Sequence, residues 1–367
     1  MRSKTIAALF AMGASLLFAS EASHAESQFY GLLRSRDLTP FGFLRLDMRP
    51  AYAVSIEPGS WAIESELGYQ NTWALSPEVE KYLISLEPTG RRDLGPEEYE
   101  AIKALPGENY LLDVESANFD FTFHYKFSPH WTGYMIASAV KYQGGFLDDT
   151  IERFHDAFGF SSFGRPAARK NDVNMIYDLK GAQFASFGAP TDGGFTDPTF
   201  GVRYTGLQPF SRWAFSVEGA VKVPVGGERT LLSTGKTDVG VQASLQRFGN
   251  QHALYLNAAA VYYAGADFPV KQDAQIVPTL VIGYERALTT RTNVNLQGYI
   301  SRSVYTHDET DLDELLGLKY QVTLGIRHRF EQLLVTFGIT ENLQNVNNTP
   351  DIGFQLGLAY IPARIAR

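Results

Sequence analysis

The sequence predicts an all-β chain that closes into a transmembrane antiparallel β-barrel of about 12 strands. Three observations lead there. Between 117 and 127, Phe119, Phe121, Phe123, Tyr125 and Phe127 alternate with Asn118, Asp120, Thr122, His124 and Lys126. Successive strand side chains point to opposite faces, so one face is aromatic and the other polar and charged. The alternation recurs along the whole chain, and the connections between alternating segments are long and short in strict turn. The chain also begins like an exported protein. A soluble sandwich alternates too, but it has no reason to sort its loops by length. A barrel whose aromatic face meets lipid accounts for all three.

The N-terminus comes first. Arg2 and Lys4 form a basic start, and Thr5 to Ala19 is a mostly apolar run, short for a spanning helix. Ser23-His24-Ala25 fits a small-x-small cleavage site. Residues 1–25 are therefore expected to be a signal peptide, with a mature chain from Glu26 exported to the bacterial outer membrane. No later apolar run is long enough to span as a helix. The chain has no cysteine, which excludes a disulfide framework, a thiol nucleophile and thiolate metal ligands. A formal net charge of −8 without a basic stripe excludes nucleic acid as a partner. No cofactor and no metal are expected.

The barrel is expected over residues 60–361. Its first strand sets Trp61, Ile63, Leu67, Tyr69 and Trp73 against Glu64, Glu66 and Gln70. Further clear strands set Trp213, Phe215, Val217, Val221 and Val223 against Ser216, Glu218 and Lys222, and Tyr320, Val322, Leu324 and Ile326 against Gln321, Thr323, Arg327 and Arg329. The last sets Ile352, Phe354, Leu356, Leu358 and Tyr360 against Gly353, Gln355, Gly357 and Ala359. Weaker alternation lies near 131–142, 198–205, 237–247, 252–264, 274–286, 292–303 and 333–340. Many of these segments have the length of a tilted membrane strand. Outer-membrane barrels put short turns on the periplasmic side and long loops outside, which assigns 74–116, 143–197, 226–236, 265–273, 304–318 and 341–350 to the exterior.

Residues 26–59 leave two readings open. Phe41–Leu46 and Ala51–Ile56 form an extra hairpin, raising the count to 14, or the segment enters the lumen as a plug. Glu57-Pro58-Gly59-Ser60 reads as a turn into the first strand and favours 12. Two exterior loops are expected to be partly helical. In 74–116, Ser76 caps a helix with Pro77 at its first position, and a second helix covers Pro96 to Leu105. In 143–197, Leu147, Ile151, Phe154 and Phe158 share one helical face, with Asp148, Asp149, Glu152 and Asp156 away from it and Gly159 as the stop. Phe184 to Thr196, rich in glycine and alanine, reads as a mobile stretch without the lysine and hydroxyl of a phosphate loop. Residues 362–367 form a tail.

The string from Gly144 through Gly145, Phe146, Leu147, Asp148, Asp149 to Phe154, His155, Asp156, Ala157, Phe158 and Gly159 resembles the hallmark of a family of Gram-negative exported proteins, domain of unknown function 3187. The likeness extends to Val221-Lys222-Val223-Pro224, to Gly317-Leu318-Lys319 with Gln321 to Gly325, and to Pro350-Asp351-Ile352-Gly353-Phe354. The resemblance implies an outer-membrane barrel and no known activity or functional residues. The final strand also resembles the signal read by the barrel-assembly machinery, with Asp351, Gly353, Leu356 and Leu358 in register. It departs from that signal in running on from Pro362 to Arg367 instead of ending on an aromatic residue.

The lumen face is expected to carry Glu64, Glu66, Asp120, His124, Lys126, Arg203, Glu218, Lys222, Arg327 and Arg329. Such a lining suits a pathway for a small or amphiphilic solute; a filled interior with paired charges is the alternative. The helix bearing Phe146, Leu147, Ile151, Phe154, His155, Asp156 and Phe158 is a candidate gate, plug or lid on the lipopolysaccharide and outer-membrane lipid, or simply packs on the rim. Its acids lack calcium-loop spacing. His155 with Ser161 or Ser162, or His130 with Ser128, has the residue types of a lipid hydrolase, but no Gly-x-Ser-x-Gly elbow is present. The expected role is a channel or transport-type barrel, with a closed structural or envelope-interaction barrel as the alternative and a rim lipid-modifying enzyme third.

Overall fold

The computed structural model describes residues 29–34, 36, 42, 44–49, 56–180, 182–207, 209–344 and 348–360. The expected signal peptide, the C-terminal tail and much of the 41–56 hairpin lie outside the described residues. In chain order the elements are β1 (Trp61–Leu75), α1 (Pro77–Leu86), α2 (Pro96–Lys103), β2 (Asn109–Lys126), β3 (Trp131–Gln143), α3 (Asp148–Phe158), β4 (Asn174–Leu179), β5 (Ala182–Phe187), β6 (Gly194–Phe195), β7 (Thr199–Leu207) and β8 (Trp213–Lys222). They continue with β9 (Asp238–Phe248), β10 (His252–Tyr263), β11 (Gln275–Ala287), β12 (Thr292–Ser301), α4 (Asp313–Leu316), β13 (Lys319–Phe330), β14 (Leu333–Gln344) and β15 (Ile352–Tyr360).

All 15 strands belong to one sheet. Setting β4, β5 and β6 aside leaves twelve that run antiparallel, neighbour to neighbour, and close when β1 pairs with β15 from Ile63↔Tyr360 to Asn71↔Ile352. Closure leaves the membrane wall no unpaired edge, as a bilayer without hydrogen-bonding solvent requires. Among the described residues no helix is long and apolar enough to cross a membrane. The outward faces carry the exposed rings and aliphatics, such as Trp61, Leu67, Phe119, Phe123, Val241 and Leu356.

Three elements in the 143–197 loop have no counterpart in the sequence pattern. β4 pairs with the extension of β2 above the wall, and β5 pairs with β4 as a hairpin. β4 buries both faces, Met175 and Tyr177 on one side and Ile176 on the other, so its apolar residues run together instead of alternating. The Phe184–Thr196 stretch, expected to be mobile, is anchored at both ends by β5 and β6. Helices α1, α2 and α3 form where expected, with one difference at Ser76. Its hydroxyl donates to the Asn109 side chain and accepts from the Tyr110 backbone N–H instead of capping α1.

The interior is layered. At the long-loop end, an apolar cluster fills the mouth: Tyr110 and Leu112 of β2, Tyr142 of β3, Tyr177 of β4, Tyr263 of β10 and Tyr305 of the loop before α4. Leu231 and Val270 of the exterior loops and Leu315 of α4 fold in over it. A second cluster, around Trp73, Leu75, Val79, Leu83 and Ile102, seats α1 and α2 against the opposite face of the same strand extensions. Below the mouth, the lumen carries buried charges and amides interspersed with smaller apolar clusters around Leu46 and Met48, Leu32, and Tyr30.

Candidate functional site: the polar lumen

The described part of the N-terminal segment lies inside the barrel. At the short-turn end, the backbone N–H groups of Tyr30 and Gly31 donate to Glu285 of β11, and Arg327 of β13 donates to the carbonyls of Gly31 and Leu32, each at 2.7 Å. One step further in, the Leu33 amide and carbonyl are both held by the side-chain amide of Gln297 on β12. Higher still, Arg45 donates to Tyr299 and Ser301 of the same strand, and the Leu44 carbonyl accepts from Lys222 of β8 at 2.7 Å. Leu44 itself joins the apolar mouth cluster. Arg49 lies beside Asp120 of β2, and the Gly59 amide meets the Lys126 carbonyl at the base of β2. The described residues thus lie at levels from the short-turn end, at Tyr30 and Gly31, up to the mouth, at Leu44.

Several charges in the lumen are paired. Asp120 faces two arginines of the segment, Arg36 at 3.1 Å and Arg49 at 2.7 Å, and accepts from Ser138 of β3. Glu64 bridges Arg34 at 3.4 Å and His124 at 2.7 Å. Within the wall, Arg203 of β7 pairs with Glu218 of β8 at 2.6 Å, and Tyr134 donates to the same carboxylate. Lys222 lies 3.0 Å from Asp238 of β9, which also accepts from the Leu46 amide. Isolated charges do not survive burial, so every such carboxylate needs a cation or several donors.

Of the residues assigned to the lumen face from sequence, Glu64, Asp120, His124, Lys126, Arg203, Glu218, Lys222 and Arg327 are buried on inward positions. Glu66 is half-buried beside them. Arg329 shares the parity of Arg327 at the short-turn end of β13, where it donates to the Glu331 carbonyl. What the sequence reading missed is the partner set: Arg34, Arg36, Arg45 and Arg49, with Asp238 and Glu285 in the weaker strands. The four arginines within residues 34–49 were the available signal, since four carboxylates of the expected lumen face (Glu64, Glu66, Asp120, Glu218) sit on nearby and neighbouring inward positions.

The candidate gate helix stands elsewhere. On β1 and β2 the positions of Leu67 and Phe119 face outward, and Tyr69, Asn71, Trp73 and Glu115 share that parity. Glu115 accepts the backbone N–H groups of Phe146 at 3.0 Å and Leu147 at 2.7 Å, just ahead of α3. Arg165 reaches Asp148 and Asp351, each at 2.6 Å, and Asn71 at 3.0 Å, with its guanidinium over the Trp73 ring. The helix therefore lies on the outer wall above the lipid band and does not enter the lumen. Leu147 and Ile151 are buried as expected, but Phe154 and Phe158 are exposed and Asp148 is buried. The apolar face expected of four residues is thus split, with Asp148 paired to Arg165 on the buried side beside Leu147 and Ile151.

Two glycines permit this seat. Gly145 has φ +74, and a Cβ there would collide with the Glu115 carboxylate; one on Gly144 would collide with the Asn171 carbonyl. The Gly-Gly start of the hallmark string is thus where the chain passes over a carboxylate without side chains. His155 and Asp156 point to no lumen feature. His155 is half-buried against Phe160 and Phe163, and burial and Arg165 hold its pKa below the usual histidine value. The Ser161 hydroxyl accepts from the Phe163 amide, and the Ser128 hydroxyl from the Trp131 amide. Among the described residues no group of histidines and acids is placed to hold a metal.

The chain belongs to the family described as protein of unknown function (DUF3187), whose model matches residues 105–361. No curated protein matches it. Among solved structures it is similar to an outer-membrane channel of the COG4313 group from Pseudomonas putida F1, at 9% identity over 83% of this chain and 96% of that one, with a TM-score of 0.49. It is also similar to the KdgM porin, at 5% identity over 82% and 98% with a TM-score of 0.39. The toluene transporter TodX of P. putida matches at 8% identity over 83% and 89%, with a TM-score of 0.37. The barrel assignment rests on the closed strand ladder itself.

Proposed function

We propose that this member of the DUF3187 family is a transport-type barrel of the outer membrane for a small or amphiphilic solute, shut by its own N-terminal segment. One observation carries the reading. Polar contacts, backbone to side chain and arginine to carboxylate, tie the segment's described residues to β1, β2, β8, β9, β11, β12 and β13, beside the apolar packing of Tyr30, Leu32, Leu44, Leu46 and Met48 on the wall. Each such contact is worth little net, because water replaces it when the segment leaves. The wall exposed by its departure is wettable and carries both charge signs, which suits orienting a solute better than selecting an ion.

Single-channel conductance in a planar bilayer tests this. The mature chain is compared with the chain lacking residues 26–50 and with Arg36→Ala/Arg49→Ala, folding being checked by heat-modifiable migration. The expected outcome is a quiet mature chain and steady or flickering conductance from both variants. A folded deletion variant that never conducts would sink the reading. It would favour a closed envelope barrel instead, the reading that the tyrosine-rich mouth cluster supports.

A further inference from the structure

The outer seat of α3 leaves an aromatic edge largely open to its surroundings, although Phe154 and Phe158 touch each other and Phe160. Phe154 and Phe158 are 43% and 58% exposed, and Phe146, just before the helix, is 64% exposed. Rings left this open on a helix whose other face is anchored need an apolar neighbour. The two long edges of the helix differ in chemistry. On one, Glu152 pairs with Arg91 at 2.5 Å and with Lys170 at 3.0 Å, and Asp149 also pairs with Lys170. Arg91 in turn donates to the carbonyls of Arg165 and Ala168, so this edge is tied into the exterior loops. Leu147, Phe154 and Phe158 occupy the opposite edge at helical spacing.

The height of that edge is set by Phe146. Its ring stacks on Tyr69 with centroids 5.0 Å apart. Tyr69 is the next outward residue of β1 after Leu67, which is 45% exposed in the lipid-facing wall. The aromatic edge is therefore continuous with the top of the lipid band, where aromatic girdles of membrane barrels sit. A short amphipathic helix at that depth, charged toward the loops and aromatic away from them, has the chemistry of an interfacial anchor.

We propose that Phe146, Phe154 and Phe158 seat α3 in the outer leaflet of the outer membrane, at the depth where acyl chains meet headgroups. The partner is the lipid surface itself, and the helix acts as a lateral float that fixes how deep and how tilted the barrel sits. This does not depend on whether the lumen conducts.

The cysteine-free chain allows a clean test. Phe154→Cys, Phe158→Cys and Asp156→Cys are each spin-labelled in the refolded mature protein in phosphatidylethanolamine–phosphatidylglycerol vesicles. Collision rates with oxygen and with a water-soluble nickel chelate are then compared. Labels at 154 and 158 are expected to show an oxygen-to-nickel ratio several-fold above that at 156. Equal ratios at all three positions would overturn the proposal. Heat-modifiable migration identifies any labelled variant that misfolds, and Phe146→Cys then supplies an independent reading: lipid-shielded supports the anchor, water-exposed overturns it.

Discussion

Arg49, in the segment that threads the lumen, sets its guanidinium 2.7 Å from the Asp120 carboxylate on β2, both nearly sealed from solvent. This pair, shared with Arg36, joins the plug to the wall. Removing one member of a buried pair leaves the other charge uncompensated, at a cost of about 3–5 kcal/mol. Asp120→Ala should therefore lower the urea midpoint of the folded barrel strongly. Adding Arg36→Gln and Arg49→Gln should restore most of the loss, because no charge is then stranded. A triple variant no more stable than Asp120→Ala would show that the pairing is not what holds Asp120 in place.

The wall itself predicts an asymmetry between adjacent positions. Phe123 faces lipid and is exposed, while His124 beside it is buried against Glu64. A lysine on the lipid face costs up to about 2–4 kcal/mol at the bilayer centre and less toward the interfaces. Phe123→Lys should cut the folded fraction on refolding into lipid vesicles, whereas Phe123→Leu should refold as the parent does. Equal yields from the two variants would contradict the assigned face.

Arg165 is the cation that both Asp148 and Asp351 reach, and it lies over Trp73. Its planar fork contacts Asp148, Asn71 and Asp351 at once, which a lysine cannot reproduce. Arg165→Ala and Arg165→Lys should both expose residues 144–170 to protease while the barrel stays heat-modifiable. Full protection in the lysine variant would mean that charge alone, and not the fork, seats α3.

Gly145→Ala should act through the same seat. The added methyl displaces the Glu115 carboxylate from the amides of Phe146 and Leu147. Limited proteolysis should cut this variant near α3 faster than the parent, with the barrel intact.

A pH dependence follows from Asp351, which lies between β14 and β15. Burial pushes its pKa up from 3.8 to about 6, with Arg165 opposing and Asp148 adding to the rise. The folded state thus prefers the protonated form, so the stabilising contribution is full below pH 3.8 and is lost as pH rises through about 6. Linkage of this size is worth at most about 3 kcal/mol. Protease protection of residues 144–170 should weaken between those pH values, and Asp351→Asn should flatten the change. A parent profile no steeper than that of the variant would refute the assignment.

The wall was legible in the sequence because a membrane strand obeys a strict local rule. Lipid on one side and a polar lumen on the other force a two-residue period, and loop lengths sort the two ends. Glu64, Asp120, Glu218 and Lys222 therefore fall on the inner face from pattern alone. The two-residue period could not reveal β4, since a strand between two apolar clusters has no alternation to display. Nor could it place Tyr30 and Leu33, whose seats in the lumen depend on Glu285 and Gln297, distant partners in the sequence. The same holds for α3. Its sequence determined an amphipathic helix, but Glu115, Arg165 and Gly145 decided that it seats outside the barrel with its rings turned outward. Periodicity is a property of neighbours along the chain, whereas charge pairing and close approach are settled only where distant segments meet.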